Sequence, residues 1–173
     1  SATPGSANLC PDAPPADACA TPPQSVPVLN EIQFATAAQS FIELYWEPGA
    51  SLDCFSIVGL NGGPEGTQCE PYATVDLSGQ VIGEDGYFLI AKSGGEREDD
   101  ADLLASAADL QDGPDAVSVL FTDNQGQEFV VDSLIYGAPL KACPDAVGEG
   151  EIAEEPGKGK SLTRCRGEDS GDN

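Results

Sequence analysis

Histidine and methionine are both absent from this sequence. Without histidine, the chain cannot build a Cys/His zinc site, a Cys–His nucleophile pair or the usual Ser–His–Asp triad. Because methionine is missing even at position 1, we expect the chain to be a processed product or a fragment of a longer one. Apolar runs long enough to cross a bilayer are also missing, so no membrane span is expected.

Basic residues are scarce. Seven Lys and Arg face 30 Asp and Glu, which gives a formal net charge of -23. A surface this acidic repels nucleic acid phosphates and anionic membranes, so neither is an expected partner. The charge has two interpretations, a solubilising surface or calcium binding. We expect folding or assembly to benefit from salt or divalent cations in either case.

Calcium takes six to eight oxygen ligands, and the acidic end of the chain offers several in a short Gly-containing stretch. The candidate calcium ligands are Asp169, Asp172 and Asn173. The Asp-rich pattern of an EF-hand is absent, and a solvated acidic loop is the alternative interpretation. Apart from this possible calcium, no cofactor is expected.

Catalytic signatures are missing as well. The Gly-rich stretch 62–68 has no following Lys, so it is not a phosphate-binding P-loop. Paired carboxylates are inevitable among 30 acidic residues, so no pair can be singled out as acid and base. We therefore expect a protein that is not an enzyme.

Six cysteines are present, an even number, and no Cys-x-x-Cys motif occurs. Disulfides in an oxidising, extracellular compartment are the natural interpretation, with free buried cysteines as the alternative. Order and local spacing favour pairing between neighbours, although sequence alone permits fifteen connectivities. The pairs predicted in this way are Cys10–Cys19, Cys54–Cys69 and Cys143–Cys165.

Two regions of the chain differ in composition and in hydrophobic pattern. Residues 1–27 are rich in Pro and Ala and predict an extended tail or linker, whereas residues 28–173 alternate short apolar segments with turn residues. The segment 97–111 predicts the one helix, or equally a loop with a single turn. Seven or eight strands at regular spacing predict a β-sandwich or barrel. The predicted strands span 28–34, 40–46, 54–60, 72–77, 86–92 and 161–167, together with a hairpin over 112–137.

Several stretches, taken in order, resemble the bacterial lamin-tail domain over roughly residues 28–173. They are VLNEIQ (28–33), FIELYWEPGASLDCFSIVGLNG (41–62), VDLSGQVIGEDGYFLIA (75–91), LQDGPDAVSVLFTDNQGQEFVVDSLIYG (110–137) and the Ser-Leu-x-Arg of 161–164. The resemblance implies an all-β, immunoglobulin-like β-sandwich, here with an extended Pro/Ala-rich N-terminal tail. It also implies a secreted or surface protein with a structural or interaction role, in a family sometimes appended to enzymes.

This sequence departs from the family pattern in two ways. Lamin-tail sequences commonly continue past an Asp-Asn stretch into an apolar Asp-Phe segment, whereas this one stops at GEDSGDN. The closing edge of the sandwich is then absent, cleaved or supplied by something else. The cysteine pairs are additions to the family pattern that suit extracellular life.

Trp46, the only tryptophan, stands beside a Glu-Pro-Gly turn with Glu47. Either its indole closes the core at a corner of the sandwich, or Trp46 and Glu47 form an exposed contact for a protein or glycan. The leading functional hypothesis is a secreted structural protein that assembles with copies of itself through the N-terminal tail into a filament or surface layer. The alternative is a glycan- or calcium-binding module of a larger secreted enzyme or adhesin.

Overall fold

The computed structural model describes residues 19–34, 38–143, 152–157 and 159–164, and within them the chain forms nine strands. Two single 310 turns, Pro64–Gly66 and Glu98–Asp100, are the helical elements of the described ranges. The strands are β1 Val28–Gln33, β2 Phe41–Tyr45, β3 Phe55–Asn61, β4 Glu70–Asp76, β5 Tyr87–Ala91, β6 Leu103–Leu104, β7 Asp115–Thr122, β8 Glu128–Tyr136 and β9 Leu162–Thr163.

The strands form two sheets that pack face to face as a β-sandwich. The five-stranded sheet has the order β6-β5-β2-β1-β9, and the four-stranded sheet has the order β4-β3-β7-β8. All pairs are antiparallel except β5 with β6, which run parallel. The predicted all-β sandwich class is therefore confirmed.

Alternation along β2 shows how the sequence specifies the interior. Ile42 and Leu44 are buried in the core between the sheets, and Trp46 packs partly against it. Glu43 and Tyr45 point to the opposite, outer face, as successive side chains of a strand must. Phe41 is also outward but buried, because the loop after β5 covers it and the Arg97 guanidinium lies 5.0 Å above its ring.

The helix considered for 97–111 does not form; the alternative of a loop with a single turn is the observed one. After the 310 turn Glu98–Asp100, the chain bonds to the edge of β5 and forms β6. Asp102 binds Leu89 twice, its N–H donating to the Leu89 carbonyl at 2.9 Å and its carboxylate accepting the Leu89 N–H at 2.8 Å. Bonding to β5 satisfies these backbone groups and outweighs a weak helical pattern.

The hairpin predicted over 112–137 is present as β7 and β8. Its turn closes at Asp123, whose carbonyl accepts the Gly126 N–H at 2.9 Å. The Asp123 carboxylate also accepts the N–H groups of Gln125 and Gln127, both at 2.8 Å. Gly126 adopts a φ of 80°, a conformation that favours glycine and explains its place in the turn.

The disulfide pairing predicted from neighbouring positions is wrong. The structure joins Cys19 to Cys54 and Cys69 to Cys143, with Cα–Cα distances of 5.9 and 5.3 Å. Cys54 and Cys69 cannot meet because they precede β3 and β4, and Asn61 at the far end of β3 pairs with Glu70. They therefore lie at opposite ends of a seven-residue strand, about 20 Å apart. Cys10 and Cys165 lie outside the described residues.

Candidate functional site

Trp46 lies where the chain leaves β2 and crosses to the other sheet. Its indole N–H donates to the Ser25 hydroxyl at 3.1 Å, and that hydroxyl donates to the Glu47 carboxylate at 2.8 Å. The half-buried ring packs edge-on against Phe55, with centroids 5.5 Å apart. Both residues predicted to bind a partner thus contact Ser25 of the same chain.

The corner formed by Trp46 and Glu47 is one of three attachments of residues 19–27 to the sandwich. The Cys19–Cys54 disulfide is the second. In the third, the Asn124 N–H of the β7–β8 turn donates to the Cys19 carbonyl at 2.8 Å. This part of the predicted tail is therefore fixed against the sandwich, and residue 19 lies beside the turn that leads into β8.

A buried carboxylate at the start of β7 is a feature that the sequence did not reveal. Asp115 is 1% exposed, and one of its oxygens accepts the Gly62 N–H at 3.0 Å. Burial raises the pKa of Asp115 to about 6, helped by the charges of Glu155 and Asp112 and opposed by hydrogen bonding to Gly62 and Tyr72. Burial also raises the pKa of the Tyr72 phenol.

The cluster formed by Asp115, Tyr72 and Tyr136 contains acidic groups but no nucleophile with an adjacent base. The Tyr136 hydroxyl donates to the Gln111 carbonyl at 2.9 Å, and the Gln111 N–H donates to the Tyr72 hydroxyl at 3.2 Å. These bonds hold the connection before β7 against the ends of β4 and β8. We interpret the cluster as structural, with a carboxyl whose pKa burial raises to about 6.

Asp132 forms the second buried polar group. Its carboxylate is 0% exposed and accepts two hydrogen bonds from the Arg164 guanidinium, each 3.0 Å long. It also accepts the backbone N–H of Leu29 at 2.5 Å. The sequence carried a signal for this site: an Asp within the apolar run FVVDSLIY, and the Arg of the Ser-Leu-x-Arg motif.

The outer face of the five-stranded sheet carries two half-buried tyrosines, Tyr45 and Tyr87, on neighbouring strands with ring centroids 5.1 Å apart. Next to them Glu31 and Glu43 stand directly opposite each other on β1 and β2. Asn30 donates to the Glu43 carboxylate at 2.6 Å, and the Ser161 hydroxyl donates to Glu31. Aromatic and polar side chains thus share one accessible patch.

The sheet edges differ in how they are protected. The β4 edge exposes Pro71, which has no N–H, and acidic side chains, both of which discourage strand addition. The last part of β8 is covered, because the Ala153 N–H bonds to the Ile135 carbonyl at 3.0 Å. Along residues 128–131 no described residue pairs with the outer side of β8, and Val130 is 44% exposed.

Within the described ranges no group of three or more His, Cys, Asp or Glu side chains could hold a metal ion. The predicted calcium ligands Asp169, Asp172 and Asn173 lie outside those ranges. No helix in the described part of the chain is long and apolar enough to cross a membrane.

Comparison with known proteins adds no relative. No protein-family model matches the chain, and no curated protein matches it. The lamin-tail resemblance therefore stays a prediction, carried by the sequence stretches quoted above.

Proposed function

We propose that this chain is a secreted, non-catalytic structural subunit with a lamin-tail-like sandwich that assembles with copies of itself. The observation that supports the proposal is the first half of β8, whose outer side no described residue pairs with and where Val130 is exposed. Monomeric proteins usually block such an edge with charge, proline or a covering segment, as the β4 edge and the end of β8 illustrate here.

The N-terminal segment is the proposed contact. Residues 19–27 are fixed to their own sandwich, which leaves residues 1–18 as the part of the predicted tail that reaches a neighbour. In strand addition, an extended segment completes a neighbour's open sheet edge through backbone hydrogen bonds. The two disulfides and the acidic surface suit an extracellular subunit.

Sedimentation and negative-stain imaging of the native protein test the proposal over a concentration series. We expect concentration-dependent oligomers that are lost on deletion of residues 1–18 and weakened by Val130→Lys. The full chain carrying Cys10→Ser is the matched control, because the deletion also removes that thiol. A stable monomer at high concentration would contradict the proposal.

A glycan-binding module is the second candidate, favoured by the Tyr45–Tyr87 pair beside Glu43. Sugar rings stack on aromatic side chains while neighbouring carboxylates and amides accept and donate hydrogen bonds to their hydroxyls. Saturable glycan binding that is lost in Tyr87→Ala but kept in Trp46→Phe would favour this candidate. Thermal melting in calcium and in chelator tests the calcium alternative separately.

A further inference from the structure

Residues 152–157 lie beside the end of β8 and bond to it through Ala153. The Ala153 N–H donates to the Ile135 carbonyl at 3.0 Å, and the Ala153 carbonyl accepts the Gly137 N–H at 2.9 Å. The contact is an isolated parallel bridge between Ala153 and Tyr136 and not a continuous ladder. A segment held by so few backbone bonds can open locally at small cost while the rest of the sandwich stays folded.

The Glu155 side chain of this segment turns back toward the connection that precedes β7. A β-carbon placed on Gly113 would lie 2.8 Å from Glu155 Oε1, and one placed on Gly137 would lie 2.9 Å from the same oxygen. The two glycines therefore leave the space that the carboxylate occupies. This position brings the charge of Glu155 close enough to raise the pKa of the buried Asp115.

Asp115 is surrounded by acidic groups. The Tyr72 hydroxyl of β4, the Tyr136 hydroxyl of β8 and the carboxylates of Asp112 and Glu155 all face it. One Asp115 oxygen accepts a backbone N–H, whereas Oδ2 makes no hydrogen bond of normal geometry although the residue is 1% exposed. No basic side chain of the described ranges forms an ion pair with any of the three carboxylates. Ionised Asp115 is thus poorly compensated.

The three carboxylates differ in how freely they can move apart. Asp115 is fixed within β7, and Asp112 belongs to the connection that two tyrosine hydroxyls hold through Gln111. Glu155 is exposed and lies on the weakly attached residues 152–157. Repulsion that arises when Asp115 ionises is therefore relieved most easily by movement of that segment.

We propose that ionisation of Asp115 releases residues 152–157 from β8 and frees the Ile135 carbonyl and the Gly137 N–H at the end of the strand. The inference rests on the proposed self-assembly and gives it a control by pH. The freed groups extend the outer side of β8 beyond residues 128–131, so a neighbour's segment can bond along more of the edge.

The direction of the effect follows from proton binding. Glu155 raises the pKa of Asp115 only while residues 152–157 are attached, so the attached form binds the proton more tightly than the released form. Attachment is therefore strongest below about pH 6 and weakens as the pH rises through that value. By linkage, release of the segment lowers the pKa of Asp115 by the same coupling.

Amide hydrogen exchange at pH 5 and pH 7.5, corrected for the intrinsic exchange rate at each pH, measures the attachment. We expect the protection of the Ala153 and Gly137 amides to fall about tenfold from the lower to the higher pH, which corresponds to a coupling of about one pKa unit. The Leu44 amide is the internal reference for global unfolding, since its strand is paired on both sides.

Charge removal identifies the groups involved. In Glu155→Gln and in Asp115→Asn the protection of both amides should be the same at the two pH values. Glu154→Gln is the matched control, because it removes the same charge from the neighbouring exposed residue and should keep the wild-type change. Sedimentation of the same proteins should show about tenfold tighter association of the wild type at pH 7.5 than at pH 5, a difference that Asp115→Asn loses.

Wild-type protection that does not change with pH, or a Glu154→Gln variant that behaves like Glu155→Gln, overturns this inference and leaves the proposed function standing. Release of the segment without a change in association overturns the control of assembly. A wild-type chain that stays monomeric at both pH values overturns the proposed function and the control of assembly with it, whereas hydrogen exchange still decides whether residues 152–157 are released.

Discussion

Arg164 and Asp132 join the two sheets of the sandwich through a two-pronged ion pair. Nη1 and Nη2 of Arg164, just after β9, lie 3.0 Å from the two carboxylate oxygens of Asp132 on β8. The Arg164 side chain is 17% exposed and that of Asp132 is fully buried. A bidentate pair in such a dry position fixes the orientation of both partners.

Arg164→Met tests how much the sandwich depends on this pair. The variant leaves the Asp132 carboxylate buried without its cation, so we expect the free energy of unfolding to fall by about 3–5 kcal/mol. Urea denaturation followed by circular dichroism measures the change. Arg97→Met is the control, because its pair with Asp100 is exposed and the Met side chain still covers Phe41, so we expect a loss of about 1 kcal/mol or less. Similar losses in both variants would contradict the prediction.

The raised pKa of Asp115 predicts an unusual pH dependence of stability. Its pKa of about 6 in the folded protein lies above the model value of 3.8, so the folded state binds the proton more tightly than the unfolded chain. The contribution of Asp115 to stability is therefore largest below about pH 4, falls as the pH rises to about 6, and is constant above that.

Asp115→Asn should remove this dependence of stability on pH and keep a side-chain oxygen that accepts the Gly62 N–H. Above pH 6 we expect the variant to be more stable than the wild type by on the order of 1–2 kcal/mol. Melting temperatures from pH 3.5 to 8 provide the measurement. Asp112→Asn is the control, because it should only shift the transition to slightly lower pH by removing a neighbouring charge. An unchanged slope in Asp115→Asn would count against the assignment.

The disulfide pairing can be checked by peptide mapping without reduction. We expect fragments that join Cys19 to Cys54 and Cys69 to Cys143, and none that joins Cys54 to Cys69. Replacing both cysteines of either pair by Ser should cost about 4 kcal/mol in the chain-entropy model, given sequence separations of 35 and 74. A variant with wild-type stability would show that the bridge does not constrain the unfolded chain.

Trp46 reports on the attachment of the N-terminal segment, because it is the only tryptophan of the chain. Ser25→Ala removes the hydrogen bonds that Ser25 makes with the indole and with Glu47. We therefore expect red-shifted fluorescence and greater quenching by acrylamide. The free energy of unfolding should fall by about 1 kcal/mol. Ser78→Ala is the control, since Ser78 bonds only locally to Asp76. Unchanged emission in Ser25→Ala would contradict this contact.

Local pattern predicted much of the fold. Alternation in β2, the turn residues between β3 and β4, and the hairpin of β7 and β8 all appear in the structure close to their predicted positions. Segments with a weak hydrophobic pattern were harder to predict. The stretch 97–111 satisfied helical and loop interpretations equally, and its bonds to Leu89 of β5 decided the outcome.

The candidate site shows the same limit: the sequence identified some of its residues but not their long-range contacts. The sequence drew attention to Trp46 and Glu47, but not to their contact with Ser25, which is 21 residues from Trp46 along the chain. It also gave no sign that Asp115 would be buried, because that depends on how the connection before β7 folds over Gly62. Long-range contacts of this kind are not encoded in local periodicity.

The sequence by itself determined the all-β class, the acidic surface, the use of cysteines for disulfides and the exclusion of histidine chemistry. These follow from composition and from the two-residue period of strands, which are local properties. Tertiary structure alone decided which cysteines meet, which carboxylates are buried and which sheet edges the described residues leave unpaired. Each of these depends on strand order and register, since residues distant in sequence become neighbours only when the two sheets pack.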